Sequence, residues 1–176
     1  MKRMGLLVVA VAMLGAGCDD DGPTAPSNPD QVVFTAALSA SNEVPPIGNA
    51  ESSARGNAQI TLDLTRGSGG AITGATVTWA FSLSDFPANS SLVAGHIHVG
   101  GAGVAGGVQV NTGLTAASAL ALPDGRLNTQ VITTTATATE VGRIQAIVDN
   151  PAGYYFNLHS PLNPGGVVRG QLTRIQ

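Results

Sequence analysis

Residues 75–84 read ATVTWAFSLS, and this stretch decides the class of fold. Apolar side chains occupy every second position, and the residues between them are small and mostly polar. Successive side chains of a β-strand point to opposite faces of the sheet, so the pattern predicts a strand with one face in a core and the other in solvent. We expect Trp79 to be buried, with Val77 and Phe81 on the same face.

Alternation with the same period predicts further strands on both sides of this stretch. It is clear at residues 34–39 and 58–65, and the sequence RGSGG at residues 66–70 supplies a loop of hairpin length. Weaker strand patterns follow at residues 92–99, 107–111, 127–135, 153–159 and 167–175. Connections of hairpin length favour antiparallel over parallel strands.

One helix is expected among the strands. Thr137 and Glu140 have the spacing of a capping box, and apolar residues then follow at helical intervals as far as Val148. The run ends at Asn150-Pro151, because the residue before a proline is pushed out of helical geometry. The whole pattern predicts an all-β fold, an antiparallel β-sandwich or barrel of about eight strands with one short helix.

The first residues have the pattern of a secretory signal. Lys2 and Arg3 precede an apolar run at residues 5–16, which is too short to span a bilayer. Cys18 follows the sequence LGAG and resembles the lipidated cysteine of bacterial lipoproteins, although Leu14 stands one place farther from it than is usual. We expect a signal peptide at residues 1–17 and lipidation of Cys18. The alternative is ordinary secretion.

Residues 18–30 are expected to tether a folded domain, residues 31–176, to a membrane. After Cys18 the segment reads DDDGPTAPSNPD, whose acids and prolines cannot form a core. The protein is therefore expected to be secreted across the inner membrane and lipid-anchored in the bacterial cell envelope. Which membrane holds the anchor is left open.

Composition excludes several classes of function. The 176-residue chain has 11 acidic and 8 basic residues and a formal charge of −3, so no basic patch exists for nucleic acid. The single cysteine rules out a disulfide within the chain. No serine lies in a Gly-x-Ser-x-Gly motif, and no catalytic residue is predicted.

The three histidines of the chain are the main chemical signal. His96 and His98 are two positions apart, and on a strand their side chains share a face. His159 shares a face with Tyr155 and Asn157 in the same way. If the two strands are neighbours, three imidazoles can converge and hold one zinc or copper ion. The alternatives are histidines hydrogen-bonded within the fold and a pH-sensitive surface.

Four motifs occur in order between residues 32 and 172. They are EVPP from Glu43, GHIHVG from Gly95, YFNLH from Tyr155 and GVVRGQL from Gly166. Together they resemble the CHRD domain, the module named for chordin. The departure is Val167, where the family usually has a glutamate, and this removes one partner for an arginine two residues later.

The resemblance implies an extracytoplasmic all-β module, which in chordin belongs to a secreted binder of growth factors. Its motif residues are the candidates for a site, namely Glu43, His96, His98, Asn157, His159 and Arg169. Arg169 could pair with Glu43, or Glu43 could orient a histidine or complete a metal shell.

Two functions therefore remain open. The first is a non-enzymatic, lipid-anchored binding or structural module for a protein or small ligand. The second is a mononuclear zinc or copper protein that uses the three histidines, with or without enzymatic activity.

Overall fold

The computed structural model describes residues 28–176, so the expected signal peptide and Cys18 lie outside the described residues. Eleven strands and one α-helix occur in the part that it describes. The elements are β1 (Gln31–Ser39), β2 (Arg55–Arg66), β3 (Ile72–Ser84), β4 (Ser90–Leu92), β5 (Ala94–Val99), β6 (Val108–Asn111), β7 (Leu120–Leu122), β8 (Leu127–Thr135), α1 (Ala138–Asp149), β9 (Tyr154–His159), β10 (Val168–Gln171) and β11 (Thr173–Arg174).

The strands form one large antiparallel sheet that curls into a half-barrel. Their order is β6-β5-β9-β10-β1-β2-β3-β8, with β11 also paired to β1, while β4 and β7 form a separate two-stranded ribbon. The predicted all-β class is thereby confirmed. The strands exceed the expected eight because two predicted stretches are each divided and because β7, at three residues, is too short for alternation to reveal.

One face of the sheet packs against a continuous apolar core. Val77, Trp79 and Phe81 are all buried on that face, as their alternation predicts. The Trp79 ring stacks on Phe156 of β9 at a centroid distance of 5.6 Å. Its indole N–H donates to Oγ1 of Thr134 at 3.0 Å, so the buried ring leaves no polar atom unpaired.

Helix α1 packs against β3 and β6. The predicted capping box is present, with Thr137 as the N-cap and Glu140 as its reciprocal partner. Ile144 and Ile147 are buried in the core, and Glu140 also accepts a hydrogen bond from the backbone N–H of Asn111 at 2.8 Å. No helix within residues 28–176 is long and apolar enough to cross a bilayer.

The burial of Trp79 predicts a large loss of stability when its side chain is removed. Trp79→Ala leaves a cavity under Phe156 and should lower the free energy of unfolding by roughly 3 to 5 kcal/mol. The measurement is urea unfolding followed by circular dichroism. Ser82→Ala, at an exposed position of the same strand, is the control and should change the value by less than about 0.5 kcal/mol. Equal effects of the two substitutions would contradict this account of the core.

Candidate metal centre

The pairing of β5 with β9 brings the three histidines to the same face of the sheet. In this register His96 lies opposite Asn157, and the neighbouring rows pair His98 with Tyr155 and Ala94 with His159. The core side of the same two strands is taken by Ile97, Phe156 and Leu158, all fully buried. The imidazoles therefore lie on the face away from the core, and strand alternation placed them correctly.

The three imidazoles are close enough to share one ion. One ring nitrogen from each histidine can be chosen so that all three lie within 4.8 Å of one another. Nδ1 of His96 and Nε2 of His159 are 2.9 Å apart. Two nitrogens bound to the same tetrahedral zinc, each at about 2.05 Å, are separated by about 3.4 Å. Small side-chain adjustments would therefore bring the three nitrogens into a ligand geometry.

Backbone carbonyls fix the tautomers of two of the histidines. Nδ1 of His98 lies 2.9 Å from the carbonyl oxygen of Gly106, and Nδ1 of His159 lies 3.0 Å from that of Pro164. A carbonyl oxygen only accepts hydrogen bonds, so both Nδ1 atoms carry the hydrogen and both Nε2 atoms carry a lone pair. Histidines that ligate metals are typically held in this way.

His96 completes the cluster with a hydrogen bond to His159. Because Nε2 of His159 carries a lone pair, Nδ1 of His96 must donate across the 2.9 Å that separates them. Binding of an ion at Nδ1 of His96 would therefore require this hydrogen to move to Nε2 of the same ring, which is the other neutral tautomer and involves no net release of a proton.

The histidines are held in the neutral form that a metal requires. Burial, together with the charges of His159 and His98, lowers the pKa of His96 to about 4. Burial is also the main cause that lowers the pKa of His98 and of His159. All three side chains are therefore uncharged at neutral pH, and no proton has to be removed from an imidazolium before an ion binds.

A stack of three side chains supports His98. Its ring lies parallel to that of Tyr155, with centroids 5.0 Å apart and an interplanar angle of 7°. The guanidinium carbon of Arg169 lies 3.5 Å above the centre of the Tyr155 ring. A cation over an aromatic face is a favourable contact, and more so where water is excluded.

Arg169 also holds the glycine loop, residues 100–107, over the site. Its Nη2 donates to the carbonyl oxygens of Gly101 at 2.8 Å and Val104 at 2.9 Å. Among the described residues no ion pair joins Arg169 to Glu43. The guanidinium instead uses loop carbonyls, and the same loop supplies the Gly106 carbonyl that accepts from His98.

Glu43 lies beside the histidines without joining them. Its carboxylate is buried and accepts a hydrogen bond from Nδ2 of Asn157 at 3.4 Å. Burial raises the pKa of Glu43 to about 7, and the positive charge of Arg169 offsets part of that rise. The sequence allowed Glu43 to contact a histidine, but the structure places it on the amide of Asn157, at the edge of a groove of about 640 Å³ that Arg169 also lines.

A comparison with known families agrees with these motifs. The family model of the CHRD domain matches residues 34–172. The chain belongs to the CHRD domain family. All four motifs lie within the matched part, and each contributes at least one side chain to the cluster described above. Neither the curated proteins nor the solved structures contain a match to this chain.

Some residues of this CHRD site were not predicted from sequence. The carbonyls of Gly106 and Pro164 have no sequence signal, whereas Tyr155 was placed on the face of Asn157 by alternation but was not among the expected site residues. Gly166 is required for close packing, because a Cβ there would lie 2.3 Å from Nδ2 of Asn157. Its φ of +136° also favours glycine.

The raised pKa of Glu43 predicts how the stability of the metal-free CHRD domain depends on pH. Between the ordinary value of 4.5 and about 7 the folded protein keeps a proton that the unfolded chain releases, so this carboxyl lowers stability as pH rises through that range. Glu43→Gln cannot ionise. Relative to the unmutated protein, the variant should therefore gain roughly 3 kcal/mol of stability between pH 4 and pH 8.

The measurement is urea unfolding in EDTA at a series of pH values. The histidines titrate in both proteins, so their opposite pH dependence cancels in the difference between the two unfolding free energies. Ser82→Ala, at an exposed position of β3, neither adds nor removes a titratable group; it is the control and should give a difference that does not change with pH. A Glu43→Gln difference as flat as that of the control would show that the pKa of Glu43 is not raised in the folded protein.

Proposed function

We propose that this CHRD protein is a non-enzymatic, lipid-anchored binding module of the cell envelope whose ligand is one zinc or copper ion. The ion would be held by the imidazoles of His96, His98 and His159. The observation that carries the proposal is their convergence, with one nitrogen from each within 4.8 Å of the others.

The hydrogen bonds of the cluster favour a metal over a purely structural role. A structural cluster satisfies its buried nitrogens, yet Nε2 of His98 is buried without a hydrogen-bond partner. Such an atom costs about 1 to 3 kcal/mol. His96 and His159 share a single proton between their facing nitrogens. An ion would engage three lone pairs, one of which has no other partner.

Burial favours binding over catalysis at this centre. His98 and His159 are 8% and 6% exposed, and the glycine loop contacts the first of them. A catalytic zinc ion needs an open position that a substrate can reach. Only His96 of the three is partly exposed, so an ion would reach the cluster beside this side chain.

Metal titration of the purified chain tests the proposal. The unmutated protein should bind zinc or copper in a one-to-one ratio, and His96→Ala, His98→Ala and His159→Ala should each weaken binding by more than about 100-fold, because loss of a ligand exceeds the loss typical of its outer partners. These three variants cover every histidine of the protein, because the sequence has only three.

Gln59→Ala, at an exposed position of β2, is the control and should bind like the unmutated protein. No binding of either metal at micromolar concentration by the unmutated chain would refute the metal proposal. Retention of full affinity after loss of any one histidine would remove that residue from the ligand set.

Anchoring through Cys18 rests on the sequence and is tested separately. Each acyl methylene buried in a membrane contributes ~0.8 kcal/mol, and more than one chain holds a protein firmly. The unmutated protein should therefore fractionate with membranes of the expressing bacterium, and Cys18→Ser should move it to the soluble fraction. Asp21→Ser, in the same tether, should leave it in the membrane fraction. A Cys18→Ser protein that stays with the membranes would refute lipid anchoring.

A further inference from the structure

Three buried side-chain atoms have no hydrogen-bond partner among the described residues. They are Nε2 of His98, Oδ1 of Asn157 and Oε1 of Glu43. The first is an acceptor because its partner nitrogen carries the hydrogen, and the second is an acceptor by its chemistry. Unpaired buried acceptors are rare in folded proteins, and these lie together in the CHRD site. The histidine nitrogen already has an explanation in the proposed ion, and the amide oxygen does not.

The strand register places Asn157 opposite His96, in the row between the rows of His98 and His159. His98 and His159 lie in rows on either side of the row that pairs His96 with Asn157. Rows two residues apart are separated by about 7 Å along a strand, so the outer rows are about 13 Å apart. The rings of His98 and His159 are nevertheless only 5.8 Å apart, so both lean towards the middle row.

The contact with Glu43 decides which end of the Asn157 amide is free. The structure turns the NH₂ group of the amide towards Glu43, and Nδ2 donates to Oε2 of that side chain at 3.4 Å. The amide oxygen is then left with both lone pairs unused. Asn157 is only 2% exposed, so bulk water does not satisfy this oxygen.

We propose that Oδ1 of Asn157 is the fourth ligand of the ion, which makes the centre three imidazole nitrogens and one amide oxygen. This inference rests on the proposed function. Glu43 would hold the amide as the carbonyls of Gly106 and Pro164 hold the imidazoles. An oxygen ligand suits Zn²⁺ and Cu²⁺, whereas Cu⁺ prefers soft sulfur ligands that this set lacks. The centre therefore takes the divalent ions.

Zinc titration of the full chain by calorimetry tests the fourth ligand. Asn157→Leu keeps the size of the side chain but removes its lone pairs, and it should weaken Zn²⁺ binding by at least about 10- to 100-fold. Asn57→Leu makes the same change at an exposed position of β2 and should bind zinc like the unmutated protein. Equal affinity of Asn157→Leu and the unmutated protein would overturn the inference and leave the three-histidine site standing. Absence of zinc binding by the unmutated protein would instead refute the proposed function.

A double substitution separates ligation from a structural role of Asn157. In Asn157→Asp combined with Glu43→Gln, the carboxylate and the amide exchange places, so the hydrogen bond between the two positions is kept and an oxygen still faces the ion. This variant should bind Zn²⁺ within about tenfold of the unmutated protein, less than the loss expected for an outer partner. Failure of the double variant to bind better than Asn157→Leu would count against ligation.

A measurement on the unmutated protein keeps the inference testable if Asn157→Leu does not fold. In a ¹⁵N-labelled chain, Zn²⁺ bound to Oδ1 withdraws electron density from the amide and shifts its Nδ2H₂ resonances on saturation. The side-chain amide of Asn57, at an exposed position of β2, is the internal reference and should not move. Saturation that shifts the histidine signals and leaves those of Asn157 in place would overturn the inference.

Discussion

Arg169 places a buried guanidinium between the ring of Tyr155 and the glycine loop. A buried cation is tolerated only where acceptors surround it, and here the carbonyls of Gly101 and Val104 serve that purpose. The loop is therefore fixed over the sheet, and with it the Gly106 carbonyl that sets the tautomer of His98. The same guanidinium presses on Tyr155, which in turn stacks on His98. The orientation of His98, one of the candidate ligands, therefore depends on Arg169 both through the glycine loop and through the ring of Tyr155.

The core and the candidate metal centre are built from opposite faces of the same strand. On β9, Phe156 contacts Trp79 in the core, while Asn157 and His159 lie on the opposite face. A shift of one residue would exchange the two faces, which would expose apolar side chains and bury the polar ones. The free energy of core packing therefore holds the register that brings the histidines together. The register of β9 therefore determines both the stability of the domain and the proposed metal binding.

The four CHRD motifs are far apart in the sequence, but their side chains meet in the folded protein. Glu43, His98, Asn157 and Arg169 come from four separate motifs and meet at one place on the sheet. Asn157 donates to Glu43, and Arg169 and His98 are joined through the ring of Tyr155 that lies between them. Of the three buried atoms without a partner, those on His98 and Asn157 are the ones that the proposed ion would use.

The sequence by itself determined the class of fold, the capped helix and the face on which the histidines lie. These features follow from alternation and spacing, which are local properties of a strand or a helix turn. Sequence also indicated that Glu43 and Arg169 belong to a site, through the family resemblance, but it left their partners open. Their real partners, the amide of Asn157 and the loop carbonyls, could not be chosen without the register of the sheet.

Only the tertiary structure decided which imidazole nitrogens are free to bind an ion. That choice depends on the carbonyls of Gly106 and Pro164, which accept from His98 and His159. Every residue has a carbonyl, so no pattern of side chains marks the ones that approach a histidine. Their positions are set by how the loops fold back over the sheet, and that is a consequence of contacts between residues far apart in the chain.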